Sequence, residues 1–410
     1  MSVDVQESPR LPGELTTISA VGLAHFTSHM LQLALAPLFL FMRDDLGTSF
    51  VELGLILSIY FLCSGVGQVL AGVLVDRFGA DRLLIGGMLL QGAATVAMGF
   101  APRYEALLPL AALAGLGNSV YHPADLSILT HRVDHRRLGR AFATHVICGN
   151  IGFAFSQLTS GSLGLAFGWR AALMVMGGGA VVVALGLLTL RPALHVAPHG
   201  ADGAAPGRSG APSFRQVLAM PVVLIAFIYF VLTSVALSGV QGFSVVTLQE
   251  GFGASVMLAT LAVTLYQLGN AAGVALGGHV ADRALHHHRV AMGGLAAAAA
   301  LGFAVALAQV PPGITVALLA AMGFSVGLTM PSRDVLVRRA TPDGATGKVF
   351  GVVYSGYDVG GLVGPLVYGL LLDHHEPRLV YVVSATALAL CTVTAFGVRR
   401  PPRPPSPRGP

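Results

Sequence analysis

The stretch Gly72-Val-Leu-Val-Asp76-Arg77-Phe-Gly79-Ala-Asp-Arg82 closes one long apolar run and opens the next. A shortened copy, Gly278-His-Val-Ala-Asp282-Arg283, does the same 206 residues further on, without a glycine after Arg283. A repeated acidic–basic turn between apolar helices predicts two related halves that can rock against each other around a shared centre.

Working outward, the rest of the chain carries the same message. Hydrophobic residues make up 54% and charged residues 10%, where a soluble domain carries about 25% charged residues. Mean hydropathy is +0.74. The apolar runs have the length of membrane spans, which need roughly 20 residues. Twelve are predicted, near 15–42, 50–75, 82–101, 105–130, 139–167, 170–191, 216–248, 255–281, 290–309, 312–337, 346–372 and 378–398. The fold class is therefore an all-α membrane protein of two six-helix bundles. Barrel strands would alternate at period two and be far shorter. The expected division is a tail at 1–14, a first bundle at 15–191, a Gly/Ala/Pro-rich connector at 192–215, a second bundle at 216–399 and a disordered tail at 400–410. The first run continues into the repeat pattern and is not read as a cleavable signal.

Charge placement sets the topology. Of the 24 Lys and Arg residues, Arg43, Arg103, Arg170 and Arg378 fall on one side and Arg333 lies inside a span; the rest gather on the opposite side, with the termini. The positive-inside rule then puts both termini in the cytoplasm and, for a bacterial chain, the protein in the inner membrane. The net charge of +5 reflects this asymmetry and does not point to nucleic acid. Cys63, Cys148 and Cys391 all fall in spans and read as small packing residues.

The two halves align. Gly115 with Gly323, Pro123 with Pro331, Gly139 with Gly347, Phe142 with Phe350, Asn150 with Asp358 and Gly152 with Gly360 are all separated by 208 residues. Small residues recur every four positions at Gly152, Ser156, Ser160 and Gly164, and at Gly356, Gly360 and Gly364. Such faces let helices approach closely in lipid, as fixed packing or as a sliding surface.

These features together resemble the major facilitator superfamily. Within it, His25-Phe-Thr-Ser-His29 and Gly115-Leu-Gly-Asn118-Ser-Val-Tyr121-His122-Pro123, followed by Gly149-Asn150-Ile-Gly152, are similar to the fosmidomycin-resistance type of bacterial efflux protein. That type usually carries Asp where this chain has His29, and Glu where it has Ala124. The resemblance implies a cavity lined by spans 1, 4, 7 and 10. It also implies that Asp76 closes the cytoplasmic side against the start of span 11, near Gly347.

Polar residues on those spans fall on common helical faces. His25, His29 and Gln32 share one, and Asn118, His122 and Asp125 another, each at i, i+4, i+7 spacing. Ser234, Ser238 and Gln241 repeat the spacing in span 7. Asn150 in span 5, Arg333 in span 10, and Tyr354, Tyr357 and Asp358 in span 11 complete the candidate substrate and proton path. An ionisable group within a span is expensive and marks function by default. His25 and His29 read as proton carriers or anion binders, or as neutral imidazoles bonded to backbone carbonyls. Asp125 and Arg333 occupy equivalent positions and are expected to meet near the cytoplasmic end. Gly72, Asp76, Arg77, Gly79, Arg82, Asp282 and Arg283 are the candidate gate, with the arginines read equally as membrane anchors. The pairs His131/His135 and His195/His199 and the runs His286–His288 and His374–His375 read as solvated loop residues, so no metal site is expected.

The expectation is a secondary active transporter of a small polar or anionic organic solute, driven by protons and favouring export. The partners would be solute, protons and lipid, with no cofactor and no nucleic acid, and the chain monomeric. Import with protons, metal-ion export through His25 and His29, and a receptor or scaffold without transport are the alternatives. No motif for acyl hydrolysis, zinc proteolysis or nucleotide phosphates is present, so the chain is not expected to be an enzyme.

Overall fold

The computed structural model describes residues 13–196, 214–307, 311–341 and 346–397. Most of the expected connector, and both tails apart from 13 and 14, lie outside these residues. The described chain is helical, and nine of its helices are long and apolar enough to cross a membrane.

The first half runs α1 (Glu14–Gln32), a short turn at Ala36–Leu38, α2 (Phe39–Leu46), α3 (Phe50–Phe78), α4 (Ala80–Gly99), α5 (Tyr104–Asn118), α6 (Tyr121–Arg132), α7 (Leu138–Thr189) and the single turn α8 (Arg191–Leu194). The second runs α9 (Phe214–Leu218), α10 (Pro221–Leu237), a widened turn at Ser238–Phe243, α11 (Ser244–Phe252), α12 (Val256–Arg283), α13 (His287–Leu307), α14 (Pro312–Ala340), α15 (Thr346–Asp373) and α16 (Pro377–Gly397).

Sequence explains the breaks. The α5/α6 boundary falls between Asn118 and Tyr121, where Pro123 supplies no N–H for the carbonyl four residues back, that of Ser119. Gly79 joins α3 to α4 at φ 90°, and Gly168 turns α7 at φ 82°, a region open to glycine and strained for other residues. Without that turn the 52 residues of α7 would extend about 78 Å, more than twice the roughly 30 Å hydrocarbon layer.

Glycines on α7 and α15 mark close helix approach inside each half. A Cβ on Gly152 would lie 2.3 Å from the Phe26 carbonyl oxygen of α1, and one on Gly360 2.6 Å from the Val231 carbonyl oxygen of α10. At these positions the expected small-residue faces are fixed packing surfaces.

The first residues of the expected connector, which begins at 192, are packed against the first half. Arg191–Leu194 is helical, Leu194 is buried, and Ala193 offers its carbonyl to Thr17 Oγ1 at 2.8 Å. Asp81, fully buried, holds this segment by accepting from Arg191 Nε at 2.6 Å. Leucine and valine at 194 and 196 supply the apolar contacts that a freely solvated linker would lack.

The halves meet along α3 with α15 and α7 with α12, and chiefly at the end away from Asp76. There Arg43 pairs with Glu250 at 2.7 Å. The Asp373 carboxylate accepts from the Phe50 and Val51 amides at 2.8 and 2.9 Å, capping the first turn of α3 from the opposite half. Ser58 donates to the Leu362 carbonyl at 2.7 Å, and Gln157 to the Gln241 carbonyl at 2.9 Å.

One face of α3 shows where this contact stops. Gly54, Phe61 and Gly65 abut Pro365, Gly361 and Asp358 of α15. The same face continues to Val69, which is 77% exposed, and to Gly72, which has no neighbouring heavy atom where a Cβ would sit. Among the described residues, the bundle is shut at the Arg43–Glu250 end and open at the Asp76 end.

Candidate functional site

The candidate residues assemble into two polar groups, one in each half. In the first half, α1 brings His25 and His29, the α5/α6 break brings Asn118, His122 and Asp125, and α7 brings His145. The His25 ring stacks on His145 with centroids 3.5 Å apart and lies 4.3 Å from His29 and 5.2 Å from His122. Asp125 is fully buried. Its Oδ2 accepts from His145 Nε2 at 3.0 Å and lies 3.3 Å from His25 Nδ1. His122 is the exposed member of the group.

Gly149 makes room for this cluster. A Cβ there would stand 2.7 Å from His29 Nδ1 and 2.8 Å from the His25 ring. The far face of His29 stacks on Phe153 at 4.1 Å. Asn118 braces the cluster by accepting from Ser28 Oγ and donating to Ser64 Oγ, both at 2.9 Å. Gln32 is partly buried on α1, and Asn150 is buried on α7.

His145 was not a sequence candidate. It follows the polar Arg140–Thr144 end of its span, where a histidine reads as interfacial. The available signal was its i, i+4 relation to Gly149, the gap that accommodates the histidine pair.

The second half holds Arg333, only 6% exposed. Its Nη1 donates to Tyr357 Oη at 2.6 Å and its Nε to Asp334 Oδ1 at 2.9 Å. Tyr354 donates to the same carboxylate oxygen at 3.0 Å. The guanidinium lies 4.6 Å from the centre of the Phe230 ring. Arginine suits such a place because its planar fork bonds and stacks at once.

Asp125 and Arg333 therefore do not meet. Each takes its partners from its own half, imidazoles in one case and phenols and a neighbouring carboxylate in the other, and the pair expected from their equivalence is absent among the described residues. Asp358 is half-buried on α15 and faces Gly65 of α3 across the interface between halves. Gln241 sits in the closed layer, its carbonyl taking the Gln157 bond and its Nε2 donating to Gln267 at 3.3 Å.

At the open end, Asp76, Arg77, Arg82, Asp282 and Arg283 are all exposed. No ion pair joins them to one another among the described residues, and Arg77 lies over its own neighbour Phe78. The expected contact of Asp76 near Gly347 concerns side-chain surroundings at 342–348 that lie outside the described residues.

The family follows from the whole chain. The Major Facilitator Superfamily pattern matches residues 21–246 and 231–410. This chain belongs to that superfamily. It is 26% identical over 386 residues to the fosmidomycin resistance protein of Escherichia coli (strain K12), covering 92% of each chain. It is 26% identical to a probable nitrate/nitrite transporter, NarK2, of Mycobacterium tuberculosis, covering 90% of this chain and 92% of that one. Similarity extends to the membrane sensor protein UhpC of Salmonella typhimurium, 24% identical over 86% of this chain and 84% of that one. Among solved folds, a bacterial homologue of the human lysosomal transporter Spinster superposes with a TM-score of 0.75 at 16% identity, over 96% of this chain and 97% of that one. The nucleoside transporter NupG superposes with a TM-score of 0.76 at 13% identity, over 94% and 100%. The chain is thus a multi-pass membrane protein with the facilitator fold.

Proposed function

We propose that this superfamily member is a proton-driven secondary transporter of the bacterial inner membrane, exporting a small polar or anionic organic solute. The observation that carries the reading is the buried Asp125 reached through imidazoles from the exposed His122. A carboxylate in contact with His25 and His145, and linked by them to an accessible ring, is a short path along which a proton can pass. Protonating and deprotonating such a group changes the charge buried in one half, and that biases which end of the bundle opens.

Arg333 supports an anionic or polar solute. It is a permanent cation on an inner helix, held by two aromatic rings and a carboxylate that a competing anion can replace. Export is supported by the similarity to the fosmidomycin resistance protein. With both termini cytoplasmic, as the arginine placement indicates, the open end faces the cytoplasm and is the loading side for an exporter.

The test is proton movement in proteoliposomes carrying an internal pH dye, screened against small organic anions, phosphonates, cations and divalent metals. Proton flux elicited by one anionic or polar solute, and lost in Asp125→Asn, is the expected result. Flux that persists unchanged in Asp125→Asn rejects the relay. No flux and no solute movement from folded protein rejects transport and favours a receptor role.

A further inference from the structure

The first-half cluster is short of positive charge. It packs four imidazoles around one carboxylate, and among the described residues neither lysine nor arginine touches Asp125. Three buried atoms in it lack any hydrogen-bond partner: His25 Nδ1, His29 Nδ1 and Asp125 Oδ1. His25 Nδ1 lies 3.3 Å from Asp125 Oδ2 without hydrogen-bond alignment. Buried polar atoms without partners are costly, and a cation among them would satisfy those that carry lone pairs.

The donor geometry names the cation. His25, His122 and His145 each offer one ring nitrogen, and all three lie within 4.8 Å of one another. Zinc bonds of about 2.0–2.1 Å at tetrahedral angles place neighbouring nitrogens roughly 3.3 Å apart. Closing the difference takes rotation of the exposed His122 ring and a tilt of the His25 and His145 rings out of their stack, so that their in-plane lone pairs converge on one ion. Three imidazoles with a carboxylate on hand form a borderline-soft nitrogen and oxygen set, which suits zinc, cobalt, nickel or copper and not magnesium or calcium. Asp125 is already bonded to His145, the arrangement in which an outer carboxylate orients a ligating imidazole. His122 gives access, because it alone of the three is exposed.

We infer that His25, His122 and His145 form a binding site for one divalent transition-metal ion, with Asp125 as its neutralising carboxylate. The site shares its residues with the proposed relay, and it is tested separately because metal binding is read without transport.

The experiment is calorimetric titration of zinc chloride into the untagged full chain in detergent, with cobalt(II) followed by visible absorption as the geometric reporter. One saturable equivalent and a set of cobalt d–d bands are expected. His122→Ala and His145→Ala should each weaken zinc about ten-fold or more, and Asp125→Asn by about ten-fold. A variant replacing the exposed loop residues His286, His374 and His375 with Asn should keep the full equivalent. His122 is exposed, so its loss spares packing and keeps the test open should the buried variants misfold. Absence of saturable binding, or binding lost in the loop variant and kept in His122→Ala, overturns the site. Either result leaves the proton-flux measurement standing on its own.

Discussion

The two halves share a fold and keep opposite charges at matching positions. Asp125 and Arg333 are 208 residues apart in the aligned repeat, and both are buried. Around Asp125 the first half packs imidazoles, with His25 and His145 on its carboxylate. Around Arg333 the second half packs phenols, an adjacent carboxylate and the face of Phe230. Imidazoles can take up or release a proton near neutral pH, whereas a guanidinium cannot. Under the proposed function, one scaffold position has been specialised twice, once for a charge that changes and once for a charge that stays.

This comparison breaks most sharply at the two charges. Asp125→Asn is expected to lower proton-coupled transport by about 100-fold, within the range general acid–base groups contribute, while leaving solute binding measurable by fluorescence or calorimetry. Arg333→Ala should do the reverse, removing solute binding, and Arg333→Lys should fail to restore it because an ammonium lacks the planar fork. Equal losses of binding in the two variants would merge the roles and end the distinction.

A smaller effect probes the scaffold the halves share. Gly152→Ala and Gly360→Ala each push a methyl into the neighbouring helix, at 2.3 Å from the Phe26 carbonyl oxygen and at 2.5 Å from Ser234 Cβ. Overpacking of this kind costs about 1–3 kcal/mol, which thermal unfolding in detergent can read. The Gly152 variant should lose more, because its methyl stands nearer to backbone, 2.3 Å from the Phe26 carbonyl oxygen against 2.6 Å from that of Val231 at Gly360. A larger loss at Gly360 would contradict the geometry.

The smallest effect concerns the closed end. Arg43 and Glu250 are 34% and 26% exposed, and such pairs are worth about 0–1 kcal/mol. Arg43→Ala should leave stability nearly unchanged and raise the labelling of a single cysteine introduced at that end by a few-fold. A large drop in stability would mean that this pair, and not the buried contacts behind it, holds the halves together.

Much of this was legible in the sequence. Apolar run length located the long helices, but the runs at 15–42, 105–130 and 216–248, each read as one span, are interrupted in the structure. The i, i+4, i+7 spacing placed His25 with His29 and His122 with Asp125 on common faces, which the structure brings into one cluster. Pairing across helices was not legible, because it depends on rotation about each axis. Equivalence in a repeat suggested an Asp125–Arg333 contact, yet equivalent positions on opposite sides of a splayed bundle each turn to partners in their own half. Asp81 shows the same limit. It lies in the phrase that opened the reading, beside charges that remain exposed, and only packing against α8 reveals that it is buried and bonded to Arg191.

The cap that Asp373 places on α3 has a consequence for leakage. Its two charge-assisted hydrogen bonds to Phe50 and Val51 join one half to the first turn of a helix in the other, and each is worth about 1.5–3 kcal/mol. Parting the halves at that end forfeits both, which makes the far-side-open state rarer by a factor on the order of 10² to 10⁴. Under the proposed function, an idle molecule then rests with its outer door closed, which spares the membrane a slow drain of solute and protons until a bound ligand repays the loss of two hydrogen bonds.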